Sequence, residues 1–337
     1  MANVSTSDNT VELKKVRKPG KFMSALAGQK GYLYLLPALA FLLVFTIYPI
    51  INTVFISFLN GYDGAGMDLV IGSIINNESG YVGFESFGIQ NFIDVLDYPL
   101  FKTALSNTLI FAFISVPVSL ILALLISIWL TNIKWLQKLY QTVFFLPYLT
   151  NAIAIGAVFM AMFNIIDGSP NVGIVNTILG YFGIDPINWV NIGSNVWANR
   201  TVVLLYSIWN GLPFKILIIS SALQSVNKQY YDAAKIDGAN KLRTITKVTV
   251  PLISPMLSYL FVTGFMGGLK EYSSVLGIFG DKMGPNKPTM QTMVGFIYDS
   301  LSTDKVGLAA AGALYLFGII LVFTLINLYL SKKRVHY

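Results

Sequence analysis

Six stretches of the sequence are apolar over about 24 to 30 residues, and their length constrains the fold more than any other feature. A helix needs about 20 apolar residues to cross the hydrocarbon core of a bilayer. The chain of 337 residues is 55% hydrophobic and only 12% charged, which is too little charge to cover a soluble domain of this size. We therefore predict an all-α polytopic membrane protein with six transmembrane helices. The predicted spans are 31–58, 101–130, 142–165, 200–223, 256–279 and 306–330.

Most of the lysines and arginines lie on one side of these spans. Sixteen of the 23 occur in the segment 1–30, the connector 131–141, the polar stretch 225–255 and the segment 331–337. Cytoplasmic loops of membrane proteins carry an excess of lysine and arginine. We therefore predict a multi-pass protein of the plasma membrane with both termini and the polar stretch in the cytoplasm. The predicted organisation is an N-terminal tail over 1–30, a transmembrane domain over 31–330 and a C-terminal tail over 331–337.

Residue types that most catalytic and cofactor chemistry needs are missing. The chain has no cysteine, and its single histidine is His336 near the C-terminus, which argues against imidazole catalysis and the common transition-metal sites. No glycine-rich loop ends in Lys-Ser or Lys-Thr, so the chain does not cradle a nucleotide in the P-loop manner. We predict no catalytic residue, no metal and no cofactor in this chain. An intramembrane enzyme with Lys215 or Lys270 as a base is disfavoured, because no motif places a serine or aspartate partner.

The polar stretch reads QYYDAAKIDGANKLRTITKVTVPLISP from Gln229 to Pro255. Gly238 interrupts it, and a residue without a Cβ allows a sharp turn, so we predict two short helices joined there. Asn240 is the predicted cap of the second helix, and Pro251 and Pro255 mark the start of the next apolar segment. On amphipathicity alone, a basic connector resting on the membrane surface accounts for the stretch about as well as a functional element does.

The same stretch resembles the cytoplasmic coupling loop of ABC importer permeases, and we call residues 225–255 the coupling segment. The family pattern is Glu-Ala-Ala, three residues, Gly, nine residues, Ile, one residue and Leu-Pro. Here DAA at 232–234, Gly238, Val248 and VP at 250–251 stand at the same spacing. The strings FFLPYLTNAIAIG and IWNGLPFKILIISSALQSV resemble the carbohydrate branch of that family, of the maltose and multiple-sugar type. The residues that the resemblance implies for coupling to an ATPase are Tyr231, Asp232, Ala233, Ala234, Asp237, Gly238, Ala239 and Pro251.

The resemblance implies the fold of a type I ABC importer permease and a role as the pathway-forming subunit of an ATP-driven, binding-protein-dependent oligosaccharide importer. The implied partners are a second homologous permease, two ATP-binding cassette subunits, an extracellular solute-binding lipoprotein, the oligosaccharide and membrane lipid, with no nucleic acid. ATP and Mg²⁺ are then bound by the ATPase partner. The alternative in the same class is a permease for another solute, such as glycerol phosphate or a polyamine. A secondary transporter is disfavoured, because no internal repeat is detectable and the coupling segment would be unexplained.

Several polar and aromatic residues fall inside predicted spans. An ionised group near the bilayer centre is costly unless it has a partner or water, so Lys215, Lys270 and Glu271 require an explanation. Lys215 lies near the middle of the fourth predicted span, at a depth comparable with Glu271, so we predict an ion pair between them, with helix packing as the alternative role for such charges. Glycines at 264, 267 and 268 are predicted to allow close helix packing. The candidate residues for a sugar path are Tyr206, Trp209, Asn210, Lys270, Glu271 and Tyr272.

Overall fold

The computed structural model describes residues 34–64, 84–133, 137–165, 173–286 and 288–334. Backbone contacts divide the chain into two compact parts, 1–53 and 54–337. The predicted N-terminal tail lies outside the described residues, as does most of the predicted C-terminal tail. The boundaries proposed for these tails therefore stay predictions.

The structure is almost entirely helical, as the apolar stretches predict. A two-stranded antiparallel sheet pairs Leu59 with Phe87 and Asn60 with Ser86. Single π-helical turns occur at Leu43–Ile47 and Ile245–Thr249, each within a longer helix. The elements in chain order are α1 (Tyr34–Ser57), β1 (Leu59–Asn60), β2 (Ser86–Phe87), α2 (Gln90–Asp97), α3 (Pro99–Asn132), α4 (Gln137–Leu149), α5 (Ala152–Phe163), α6 (Ile174–Tyr181), α7 (Val196–Ser225), α8 (Lys228–Ile236), α9 (Lys241–Leu252), α10 (Ser254–Gly268), α11 (Ser273–Phe279), α12 (Met293–Ser302) and α13 (Val306–Arg334).

Four helices of the described residues, α1, α3, α7 and α13, are long and apolar enough to cross a membrane alone. The number is up to six if each of two bent pairs is counted as one span: α4 with α5, at 98°, and α9 with α10, at 73°. The first, second, fourth and sixth predicted spans therefore correspond to continuous helices. The third and fifth predicted spans do not.

The third predicted span is broken at Asn151. Pro147 lies near the end of α4, where its ring and its missing N–H disfavour continuation of the helix. Asn151 then takes an extended conformation, and its side-chain oxygen accepts hydrogen bonds from the backbone N–H groups of Ile153 (2.9 Å) and Ala154 (3.3 Å). This N-cap starts α5 in a new direction.

The fifth predicted span, 256–279, is wrong as a continuous helix. Helix α10 ends at Gly268, and α11 begins at Ser273 after a break. Successive glycines weaken the end of α10, because glycine has low helix propensity. Glu271 caps the following helix from within the break, so both charged residues of the predicted span lie outside helical structure.

Helix α3 forms the centre of the packed bundle and lies along α7, α10 and α12. A Cβ on Gly264 would lie 2.9 Å from Cγ1 of Val116, and a Cβ on Gly268 would lie 3.2 Å from Cα of Ala112. Only glycine permits α10 to approach α3 this closely, which confirms the predicted packing role at these two positions. A Cβ on Gly267 would meet nothing within 4 Å, so the prediction is wrong there.

Helices α5 and α11 approach each other even more closely, at two glycines that sequence reasoning did not single out. A Cβ on Gly156 would lie 2.6 Å from backbone atoms of Gly277. The second halves of the third and fifth predicted spans are thus packed against each other by backbone contact. This contact fixes the position of the break at 269–272 relative to α5.

Candidate coupling segment and pathway residues

The coupling segment has the predicted helix–turn–helix structure. Asn227 caps α8 by accepting a hydrogen bond from the N–H of Gln229, and Asn240 caps α9 by accepting one from the N–H of Arg243. Gly238 lies between them with φ of +69°, in the left-handed region where glycine is favoured. The N–H of Gly238 donates to the carbonyl of Lys235, and that of Ala239 to the carbonyl of Ala234. These bonds satisfy carbonyls at the end of α8 and fix the turn.

The coupling segment is joined rigidly to two candidate spans. Two residues separate the end of α7 from the start of α8, and α9 meets α10 across the single residue Ile253. Ala234 and Thr249 are buried, at 7% and 4% exposure, and α8 packs against the π-helical turn of α9. A displacement of this segment is therefore transmitted to α7 and α10.

The outer surface of the segment is apolar at the turn. Ile236 and Leu242, on either side of Gly238, are 87% and 71% exposed. These two exposed apolar side chains beside the turn are available for contact with a partner. The Lys235–Asp232 ion pair at 3.7 Å is exposed on both sides and stabilises α8 little.

The eight predicted coupling residues all belong to this segment, but they differ in accessibility. Tyr231 and Ala239 are half-buried, and Ala234 is buried. The exposed ones are Asp232, Ala233, Asp237, Gly238 and Pro251. Ala234 therefore anchors α8, while the exposed residues lie on the surface that is free for a partner.

The predicted Lys215–Glu271 ion pair is not formed. The Lys215 ammonium is buried and donates to the hydroxyl of Ser119 at 2.8 Å and to the carbonyl of Gly211 at 3.2 Å. Both acceptors are neutral and come from α3 and from the preceding turn of α7. Lys215 thus binds α7 to α3, and comparable depth in the sequence was an inadequate reason to pair it with Glu271.

Glu271 is directed into the protein as a helix cap. Its Oε1 accepts hydrogen bonds of 3.1 Å from the N–H groups of Tyr272 and Ser274, and its Oε2 accepts a bond of 3.4 Å from the hydroxyl of Ser207. A carboxylate at the N-terminus of a helix is stabilised by the helix dipole as well as by these donors. The negative charge of Glu271 is therefore already balanced within the chain.

Lys270 differs from its neighbour because it is exposed. In the part of the chain that the structure describes, no carboxylate lies within 4 Å of its ammonium. The break at 269–272 thus presents a positive charge outward and turns a negative charge inward.

The aromatic candidates fall into two groups. Tyr206 is 1% exposed and donates to the carbonyl of Ala152 at 2.8 Å, so it packs α7 against α5 in this conformation. Trp209 is 37% exposed with its ring 5.7 Å from that of Phe159. Tyr272 is half-buried, and its ring centroid lies 5.0 Å from that of Tyr298. Tyr298 is 52% exposed. Asn210 is half-buried.

One group of polar side chains holds the loops at the opposite end of α7. Asn107 of α3 is fully buried and donates to the carbonyls of Thr289 and Gln291, at 2.9 Å each. Its side-chain oxygen accepts a bond of 3.1 Å from Arg200. Long-range side-chain bonds to loop carbonyls leave no periodic signal in a sequence, so no pattern could have predicted them.

Comparison with known proteins agrees with this architecture. The chain is 30% identical over 305 residues to the arabinooligosaccharides transport system permease protein AraP of Bacillus subtilis, covering 89% of this chain and 88% of that protein. It is 28% identical over 272 residues to the lactose transport system permease protein LacF of Rhizobium radiobacter, covering 80% and 82%. The fold is similar to a chain in the crystal structure of a bacterial ABC transporter involved in the import of the acidic polysaccharide alginate, with a TM-score of 0.71, 20% identity and coverage of 94% and 99%.

The model of one protein family matches residues 115–336, which include the coupling segment, the break at 269–272 and most of the packed bundle. This match extends over more than half of the chain. The protein is a transporter permease and belongs to the family of binding-protein-dependent transport system inner membrane components.

Proposed function

We propose that this chain is the pathway-forming subunit of an ATP-driven, binding-protein-dependent oligosaccharide importer. The observation that carries the proposal is the coupling segment: two capped helices joined at Gly238, with Ile236 and Leu242 exposed beside the turn. A separate ATPase subunit docks on this apolar tip and hydrolyses the ATP. A second permease completes the pathway, and a solute-binding protein delivers the cargo on the other side.

The mechanical argument follows from the connections of the segment. Helices α8 and α9 are short and capped at their N-termini. At most two residues join them to α7 and α10. A rigid element held in a moving partner transfers the partner's motion to the spans as a rotation of whole helices. The close backbone contact of α5 with α11 then moves the break at 269–272 with the bundle.

An oligosaccharide cargo is supported by the names of the relatives and by the surface near the break. AraP and LacF carry sugar transport in their names. The partly exposed rings of Trp209 and Tyr298 offer apolar faces of the kind that stack on sugars. Lys270 adds a hydrogen-bond donor beside Tyr272.

The docking proposal is tested by removing the apolar tip. Ile236→Ser with Leu242→Ser is expected to abolish co-purification of the ATPase subunit with the tagged permease while permease abundance is unchanged. The matched control is Phe182→Ser with Ile192→Ser, because these side chains are also 77% and 84% exposed but precede α7 rather than follow it. Equal ATPase retention by the two double variants would contradict the proposal.

The cargo is tested with the reconstituted importer and its cognate solute-binding protein. Neutral and acidic oligosaccharides, glycerol phosphate and a polyamine are compared for stimulation of ATP hydrolysis. We expect stimulation by an oligosaccharide. Stimulation by glycerol phosphate or a polyamine alone would replace the sugar proposal without affecting the docking of the ATPase.

A further inference from the structure

A cavity of about 800 Å³ lies between the coupling segment and the ends of two spans, and its lining includes Tyr231, Lys235, Ala239 and Thr249 of that segment. Its floor is formed by the last turns of α3 and α7, including Ile128, Thr131 and Leu223. Its walls are α8 and α9, which contribute Lys228, Lys235 and Lys241. The cavity is thus built from four helices rather than from one flexible loop.

The charged side chains that line this cavity are all cationic. Lys235 is paired with Asp232, but at 3.7 Å and with both groups largely exposed. No carboxylate in the described residues lies within 4 Å of Lys228 or Lys241. Tyr231 also lines the cavity, whereas the hydroxyls of Thr131 and Thr244 already donate to the carbonyls of Ile128 and Asn240. This set of donors matches a phosphate group.

Aromatic side chains beside the floor of the cavity indicate where the spans are expected to leave the membrane. Trp129 of α3, next to Ile128, is 56% exposed, and its ring is 6.2 Å from that of Tyr140. Tryptophan and tyrosine concentrate at the membrane–water boundary. The apolar part of the lining, at Ile128, Leu223 and Ile245, is continuous with the ends of the spans. The cavity therefore combines a cationic wall with an apolar floor at the depth of lipid headgroups.

We propose that this cavity binds one anionic phospholipid. The headgroup phosphate lies between Lys228 and Lys241, and the acyl chains lie along Ile128 and Leu223. Basic pockets beside spanning helices on the cytoplasmic side recognise anionic headgroups in this way. The lipid bridges the coupling segment and the spans, so its binding stabilises their relative position.

Binding is measured by native mass spectrometry of the full-length chain in detergent, titrated with phosphatidylglycerol or phosphatidylcholine. Lys228→Gln with Lys241→Gln is the test variant. The control is Arg243→Gln with Lys247→Gln, which removes two charges from the same segment outside the cavity lining. We expect the test variant to bind phosphatidylglycerol about thirtyfold more weakly, because each lysine near an anionic headgroup contributes about a factor of five.

The control variant and Lys228→Arg with Lys241→Arg are expected to retain wild-type affinity, which separates loss of charge from loss of folding. Equal weakening in the test and control variants would overturn the proposal. Equal affinity of the wild-type chain for phosphatidylcholine and phosphatidylglycerol would also overturn the proposal. A soluble anion as the true ligand would appear as inorganic phosphate binding without any preference for phosphatidylglycerol, and this result would also overturn the lipid proposal.

Discussion

The side-chain Oε1 of Glu271 accepts a hydrogen bond of 3.1 Å from the backbone N–H of Ser274. This bond makes Glu271 the cap of α11, although it lies in what the sequence predicts as the middle of a span. Its neighbour Lys270 is left exposed. The orientation of these two side chains determines which charge the break presents to a partner or cargo.

Loss of the cap is expected to destabilise the protein. Glu271→Ala removes an acceptor for backbone N–H groups at the start of α11, which typically costs about 0.5–2 kcal/mol. Glu271→Gln keeps an acceptor oxygen and is expected to have nearly wild-type thermal stability in detergent. A Glu271→Ala protein as stable as Glu271→Gln would contradict the capping role.

Glu271→Gln, combined with Lys215→Met, tests whether Lys215 and Glu271 are coupled. Lys215 binds Ser119 and Gly211 instead, so the effects of Lys215→Met and Glu271→Gln on unfolding are expected to add within about 0.5 kcal/mol. Restored membrane abundance in the double variant, relative to both single variants, would show that the two groups interact.

The differences between prediction and structure have a common physical origin. Apolar length predicts the spans, and the Gly238 turn could be predicted because a left-handed residue between two helices favours glycine. The breaks at Asn151 and Glu271 could not, because a side chain that bonds the backbone looks in sequence like any other polar residue in a span. The sequence predicts Glu271 as a pathway residue, whereas the side chains of Asn151 and Glu271 both accept hydrogen bonds at the start of a helix. Pairing of Lys215 was likewise inferred from depth alone.

Close contact between α5 and α11 is expected to make Gly156 intolerant of any side chain. An alanine Cβ there would lie 2.6 Å from the backbone of Gly277, and backbone cannot move aside as a flexible side chain can. We expect Gly156→Ala to destabilise by about 1–3 kcal/mol. The control is Gly267→Ala in α10, where a Cβ meets nothing within 4 Å and alanine raises helix propensity. Equal melting temperatures for the two variants would refute the contact.

At Gly238 the expected effect is conformational rather than steric. A Cβ there meets nothing within 4 Å, but φ is +69°. Asparagine tolerates this region best, alanine less and the β-branched valine least. Uptake and stimulated ATP hydrolysis are therefore expected to be highest in Gly238→Asn, lower in Gly238→Ala and lowest in Gly238→Val. A Gly238→Val protein that transports normally would remove the turn from the coupling mechanism.

The proposed orientation can be tested because the chain has no cysteine. Single cysteines at Ile192 and Lys241 lie before and after the 30-residue helix α7 and are both exposed. An impermeant maleimide is expected to label position 192 in intact cells and position 241 only after the membrane is permeabilised. Labelling of position 241 but not 192 in intact cells would reverse the topology.

Lys270 is expected to contribute to uptake and not to folding. Its ammonium is exposed while the adjacent carboxylate of Glu271 is bonded inward, so the surface charge at the break is not compensated by its neighbour. Hydrogen bonds to a charged group contribute about 1.5–3 kcal/mol, so Lys270→Met is expected to lower kcat/KM for uptake at least about tenfold at unchanged abundance. Lys270→Arg keeps the charge and should retain most of the activity.

Lys102→Met serves as the control, because Lys102 is also exposed and forms no ion pair in the described residues. Normal uptake by Lys270→Met would remove this residue from the pathway, and reduced abundance would assign it a structural role.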